Sequence, residues 1–147
     1  MARPDKDVLE ERQNFMQTIL ECSTDAAKFS DIFLDHKLFP YNQEYVNCKE
    51  RFIVYRSGRQ VGKTMSTAVK AIHFAFFAPI LHKTVKNECT IVIAAPTQNQ
   101  AGIMFDRIRS LLISNDFLKG YIVRNTQTEM WVNFLDNTGM SKIITRA

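Results

Sequence analysis

The run Arg51-Phe-Ile-Val-Tyr-Arg56, followed by Ser57-Gly-Arg-Gln-Val-Gly62-Lys63-Thr64, decides how this chain of 147 residues is read. The first six residues are β-branched and aromatic over a strand-like length. The next six carry two glycines and break that pattern. From Lys63 to Phe77 the residues suit a long helix rich in Ala, Met and Ile, with Pro79 expected to stop it. A strand, a glycine-bearing turn and a helix that opens on Gly-Lys-Thr is the setting of a phosphate-binding loop, GxxxxGK[ST]. Each residue type there has a physical reason. Gly62 lets backbone approach phosphate oxygens where a Cβ would collide. Successive N–H groups form an anion nest, and the helix adds its positive N-terminal end. Lys63 is expected to put a point charge on the β- and γ-phosphates, and the Thr64 hydroxyl to ligate Mg²⁺. The first glycine of the general pattern is Ser57 here, with Gly58 one position later. The competing interpretation is an ordinary turn with a surface lysine.

Working outward, residues 6–28 are expected to form one helix, with Leu9, Phe15, Met16, Ile19 and Leu20 at 3–4 spacing. Phe29–Pro40 is expected to be an irregular aromatic connector, with a short helix over Asn42–Cys48. Beyond the central helix, Thr90-Ile-Val-Ile-Ala-Ala95 is a near-continuous apolar run of the kind buried on both faces of a sheet. A helix is expected over 98–113 and short strands over 121–124, 130–135 and 141–146, with Asp136-Asn-Thr-Gly139 turning between the last two. This alternation predicts an α/β domain with a mainly parallel sheet flanked by helices and a β-hairpin elaboration.

The loop and its neighbours resemble the large terminase subunit, the DNA-packaging ATPase of tailed double-stranded DNA phages. Arg59-Gln60-Val61-Gly62-Lys63-Thr64 is similar to that family's deviant loop, in which a small residue and then Arg-Gln replace the glycine-rich opening. Ser57 fits that version. Phe39-Pro-Tyr-Asn-Gln43 resembles the family's adenine-reading glutamine motif, and Ala94-Ala-Pro-Thr-Gln-Asn-Gln-Ala101 the segment after the second strand. Trp131–Thr145 resembles the hairpin before the second acidic motif. The resemblance covers about residues 38–147; residues 1–37 are an N-terminal helical segment that matches nothing recognisable.

The resemblance implies a P-loop NTPase of the helicase/terminase type that binds ATP and Mg²⁺ and drives double-stranded DNA into a procapsid. Its implied partners are DNA, a small terminase subunit and the portal protein, in a homo-oligomeric ring within the cytoplasm of an infected cell. Gln43 would read adenine, and Ser57, Gly58, Arg59, Gln60, Val61, Gly62, Lys63 and Thr64 would cradle the phosphates. Arg59 would stabilise γ-phosphate charge as a finger in cis, with Lys63 beside it. The family's Asp-Glu pair falls shortly after a strand like Lys142–Thr145 and is not reached, so the domain is expected to be partial, without its second acidic motif and nuclease domain. Asp136 is read as a turn residue, since Asn137 stands where the glutamate would be. The chain is accordingly expected to bind ATP but hydrolyse it poorly. The alternatives are the first motor domain of a helicase and a nucleotide-binding module without catalysis.

The charge distribution suits a polyanion ligand, with a solvated basic surface as the competing interpretation. Residues 1–50 carry six Lys/Arg against ten Asp/Glu, whereas residues 51–147 carry thirteen against five. Three cysteines without a CxxC pair argue against a disulfide scaffold or a zinc ribbon. The charged N-terminus is unlike a secretory signal, and Ala71–Leu81 is shorter than the roughly 20 residues of a membrane span. His36, His73 and His82 lack metal-ligand spacing. Thr97 is expected to cap the following helix, and Trp131 to belong to the core. Arg107 and Arg109, two apart on a helix, do not make a DNA-binding stripe. Loss of strand partners is expected to leave an apolar edge and marginal solubility.

Overall fold

A computed structural model describes residues 5–147. The N-terminal helical pattern divides into α1 (Lys6–Thr24) and α2 (Ala26–Phe33) rather than running unbroken. At the break, Asp25 leaves helical geometry at φ −130° and ψ 97°, and its carboxylate accepts the Lys28 amide at 3.0 Å. A short acidic side chain favours such a cap over a helix interior. The supposed connector is therefore helical as far as Phe33. The next helix, α3 (Pro40–Asn47), has its proline in the first turn, where no N–H bond is lost.

The segment 51–56 is not a strand. Among the described residues no strand pairs with it, and Phe52 and Val54 stand 83% and 85% exposed. Strand propensity reflects packing against neighbours, so an unpaired segment does not realise it. Tyr55 alone is anchored, stacked on Tyr45 with centroids 4.1 Å apart.

The central helix, α4 (Lys63–Leu81), passes through Pro79 instead of stopping before it. Proline at 79 removes the N–H that the Ala75 carbonyl would receive. That carbonyl instead accepts the buried Ser141 hydroxyl at 2.7 Å, and the next, Phe76, accepts the Leu135 amide at 3.3 Å. The helix continues because a distant hairpin supplies donors. By length and composition α4 is apolar enough to cross a membrane, but half of it is buried, and Ala68, Val69, Ile72, Phe76 and Phe77 are core residues.

After α4 come β1 (Glu88–Ala94), α5 (Gln98–Ser114), α6 (Asp116–Lys119), β2 (Ile122–Asn125), β3 (Glu129–Asn133) and β4 (Met140–Arg146). The four strands form one sheet in the order β1-β4-β3-β2. Only β1 and β4 are parallel; β3 is antiparallel to both β4 and β2. The sheet is thus mixed rather than mainly parallel. Short turns between β2, β3 and β4 permit only antiparallel neighbours, while the path from β1 to β4 is long enough for a crossover. In the β3–β4 turn, Asp136 Oδ1 accepts both the Thr138 amide (3.0 Å) and its hydroxyl (2.7 Å). A Cβ at Gly139 would lie 2.0 Å from the Asn87 carbonyl oxygen, so only glycine fits there.

One face of the sheet, with Met130, Val132, Ser141 and Ile143, packs under α4 and α5. Cys22, Ala26, Phe29 and Phe33 from α1 and α2 share that core with Ile72, Phe76 and Phe77. Trp131 is not in it. It lies on the opposite face, half-buried, with Arg124 and Lys142 over its ring at 5.0 and 4.8 Å. Among the described residues no strand pairs with the edge of β1 away from β4, and Val92 is 53% exposed.

Candidate phosphate-binding loop

Gly62 is the residue on which the loop becomes the helix. It is the N-cap of α4 in the left-handed conformation, φ 82° and ψ 19°. Gln60 is also left-handed, at φ 58°. These two reversals tighten the chain around residues 60–62, and Gly62 tolerates its share without a Cβ penalty. Among the described residues no side chain caps α4. The Ser66 hydroxyl and amide turn instead to the Gly62 carbonyl, at 2.7 and 2.9 Å. The first-turn amides are therefore left without a capping side chain, at the positive end of a helix.

Lys63 folds back over this turn, its Nζ donating to the Ser57 carbonyl at 2.8 Å. The ammonium carries two further protons. Thr64 is exposed on the first turn, next to Lys63. Gly58 and Arg59 are exposed, Gly58 has open space around it, and Arg59 makes no side-chain hydrogen bond or ion pair among the described residues. The Ser57 hydroxyl is buried and has no partner among the described residues. A loop with a bare helix start, a folded-back lysine and an orphaned hydroxyl suits an anion with several acceptor oxygens.

Behind the loop stands α3. The Val61 carbonyl accepts from Asn42 Nδ2 at 3.1 Å and from the Tyr41 hydroxyl at 3.3 Å. Asn42 is 1% exposed, and its Oδ1 accepts the Tyr55 hydroxyl. Gln43, the expected adenine reader, is half-buried and donates Nε2 to the Leu38 carbonyl at 2.8 Å, so part of its amide is occupied by the segment leading into α3. Further along, Lys70 on α4 donates to the carbonyls of Tyr45, Val46 and Cys48 at 3.2, 3.0 and 2.8 Å. Burial pulls this ammonium below the usual lysine range, with the Cys48 thiol opposing. Lys70 thereby closes the C-terminal end of α3 onto α4, as a cation does well at a helix C-terminus. Sequence inspection missed Asn42, Tyr55 and Lys70. The one available signal was the polar and aromatic run Tyr41-Asn-Gln-Glu-Tyr45 shortly before the loop.

The other side chains have structural partners. Thr97 Oγ1 accepts the Gln100 amide at 3.3 Å and caps α5. Gln98 donates to Thr145 Oγ1 at 2.7 Å, tying that cap to β4. Arg109 is engaged by Asp106, Asn125 and Thr126. His73, buried, donates Nε2–H to the Cys22 carbonyl at 2.7 Å. Among the described residues no cluster of His, Cys, Asp or Glu is fit to hold a metal ion, and the cysteines are free. No protein-family model matches the chain, and no curated protein matches it.

Proposed function

We propose that the chain is the ATP-binding part of a P-loop NTPase, and that this NTPase is the motor of a phage-type DNA-packaging terminase. The observation that carries the nucleotide reading is the uncapped start of α4, with left-handed Gly62 before it and Lys63 folded over the turn. The terminase assignment is supported by the Arg-Gln-Val-Gly-Lys-Thr string and the motifs flanking it. Backbone N–H groups of the loop would hold the phosphates, Lys63 would neutralise their charge, and the Thr64 hydroxyl would be a ligand for Mg²⁺. The ion, when bound, offsets charge on the phosphate oxygens. Arg59, exposed on the loop, is available for a terminal phosphate, and Gln43 for an adenine edge through its remaining donor and its carbonyl. DNA, a small subunit and a portal protein belong to the same proposal.

Calorimetric titration with Mg-ATP tests the nucleotide step. The wild-type chain is expected to bind, and Lys63→Ala to weaken binding about 10- to 150-fold, the value of a charge-assisted contact. Equal affinities would overturn it. Steady-state hydrolysis by these 147 residues is expected to be slow, because the sequence holds no Asp-Glu pair and Asp136 is engaged in its own turn by Thr138. Substantial turnover abolished by Lys63→Ala would refute that expectation. DNA-stimulated hydrolysis by a longer chain carrying an Asp-Glu strand would favour the motor over a binding-only module.

A further inference from the structure

We infer that Asn42 is a positioning residue for phosphate binding, acting through the peptide between Val61 and Gly62; this rests on the nucleotide reading above. The Val61 carbonyl and the Gly62 amide belong to one planar trans peptide, so they point in opposite directions. Asn42 Nδ2, at 3.1 Å, and the Tyr41 hydroxyl, at 3.3 Å, draw the carbonyl toward α3. The Gly62 N–H, on the opposite side of that peptide, is thereby turned away from α3. A peptide flip at this point would present a carbonyl oxygen in its place, which repels phosphate.

The constraint is well built. Asn42 is 1% exposed, and its amide is held from both ends, Nδ2 on Val61 and Oδ1 receiving the Tyr55 hydroxyl. Tyr55 is itself fixed by its stack on Tyr45. Asn42 also bears on the choice of glycine at 62. A Cβ there would stand 2.9 Å from Asn42 Nδ2, in addition to the strain of φ 82°. Gln43, its neighbour in the expected adenine-reading motif, turns its Nε2 to Leu38 and makes no hydrogen bond to the loop. Loop positioning thus falls to Asn42 and not to its neighbour Gln43.

The test measures inorganic tripolyphosphate binding, which reports on the phosphate site without the base, alongside the thermal midpoint. Asn42→Ala is expected to weaken tripolyphosphate about three- to tenfold, as loss of one neutral hydrogen bond that orients a donor. A merely stabilising Asn42 would lower the melting midpoint and leave affinity within twofold of wild type, and that result overturns the inference. Should Asn42→Ala not fold, Tyr55→Phe decides in its place, because it keeps the stacked ring and frees the Asn42 amide. It too is expected to weaken tripolyphosphate, and unchanged affinity overturns the inference. If wild type binds and Lys63→Ala is impaired while Asn42→Ala is intact, only this inference fails. If wild type binds neither tripolyphosphate nor ATP, the nucleotide reading fails and takes this inference with it.

Discussion

The two ends of α4 pose the same problem and solve it in opposite ways. At its C-terminal end Pro79 orphans the Ala75 carbonyl, and the protein brings Ser141 from the sheet to satisfy it; the adjacent Phe76 carbonyl receives Leu135. At its N-terminal end the first-turn amides have no capping side chain, and Lys63 bridges the turn that leads into them. Backbone polar groups in a folded chain are normally paired, so an exposed end without a protein cap is left to water or to a ligand. The buried end is held by the fold, and the exposed one is open to chemistry.

The sharpest way to break this contrast is to remove a partner from each end. Ser141→Ala leaves the Ala75 carbonyl buried without its donor and is expected to cost about 1–3 kcal/mol. At this chain length the melting midpoint should fall by roughly 2–4 °C for each kcal/mol. Lys63→Ala, an exposed side chain, is expected to stay within about 0.5 kcal/mol of wild type while losing nucleotide affinity. If Lys63→Ala melts early, or Ser141→Ala does not, the two ends are not built as described.

A double-mutant cycle sharpens the buried end. In a Pro79→Ala background the helix regains an N–H four residues after Ala75, so Ser141→Ala is expected to cost about 1 kcal/mol less than in wild type. Additive penalties from urea unfolding would show that Ser141 acts through packing alone.

The smallest expected effect lies midway along the helix. Burial holds the His73 imidazole below the ordinary histidine value; its bond to the Cys22 carbonyl opposes this, Lys70 adds to the depression, and Asp25 opposes it. The unfolded chain therefore binds a proton that the native chain resists. Stability should be fully present above about pH 6.5 and be lost as pH falls below it toward the depressed native value. Urea midpoints across that window should decline with acidity, and His73→Gln, which keeps a donor for Cys22 but does not titrate, should flatten the decline. An unchanged slope would assign the acid sensitivity elsewhere.

The local signals of Gly62-Lys63-Thr64 were legible because they depend on a few neighbouring residues: a glycine suited to φ above zero, a helix start and a lysine placed one residue later. The Thr97 cap and the Asp136 turn were legible for the same reason. The break at Asp25 was a local signal too, but apolar periodicity on both sides concealed it. Segment 51–56 shows the opposite limit. Its residues favour a strand, yet a strand exists only where a neighbour accepts its hydrogen bonds, and the sheet among the described residues pairs with other segments.

By itself, then, the sequence determined which residues form a glycine-lysine turn, roughly where the helices begin, and where charge of each sign accumulates. Only the tertiary structure decided that α4 continues through Pro79, that Trp131 leaves the core, and that Asn42 stands behind the loop. The physical reason is separation along the chain. Ser141 reaches Ala75 across 66 positions and Asn42 reaches Val61 across 19. Hydrogen bonds of that kind follow from how elements pack, not from any local preference of the residues they join.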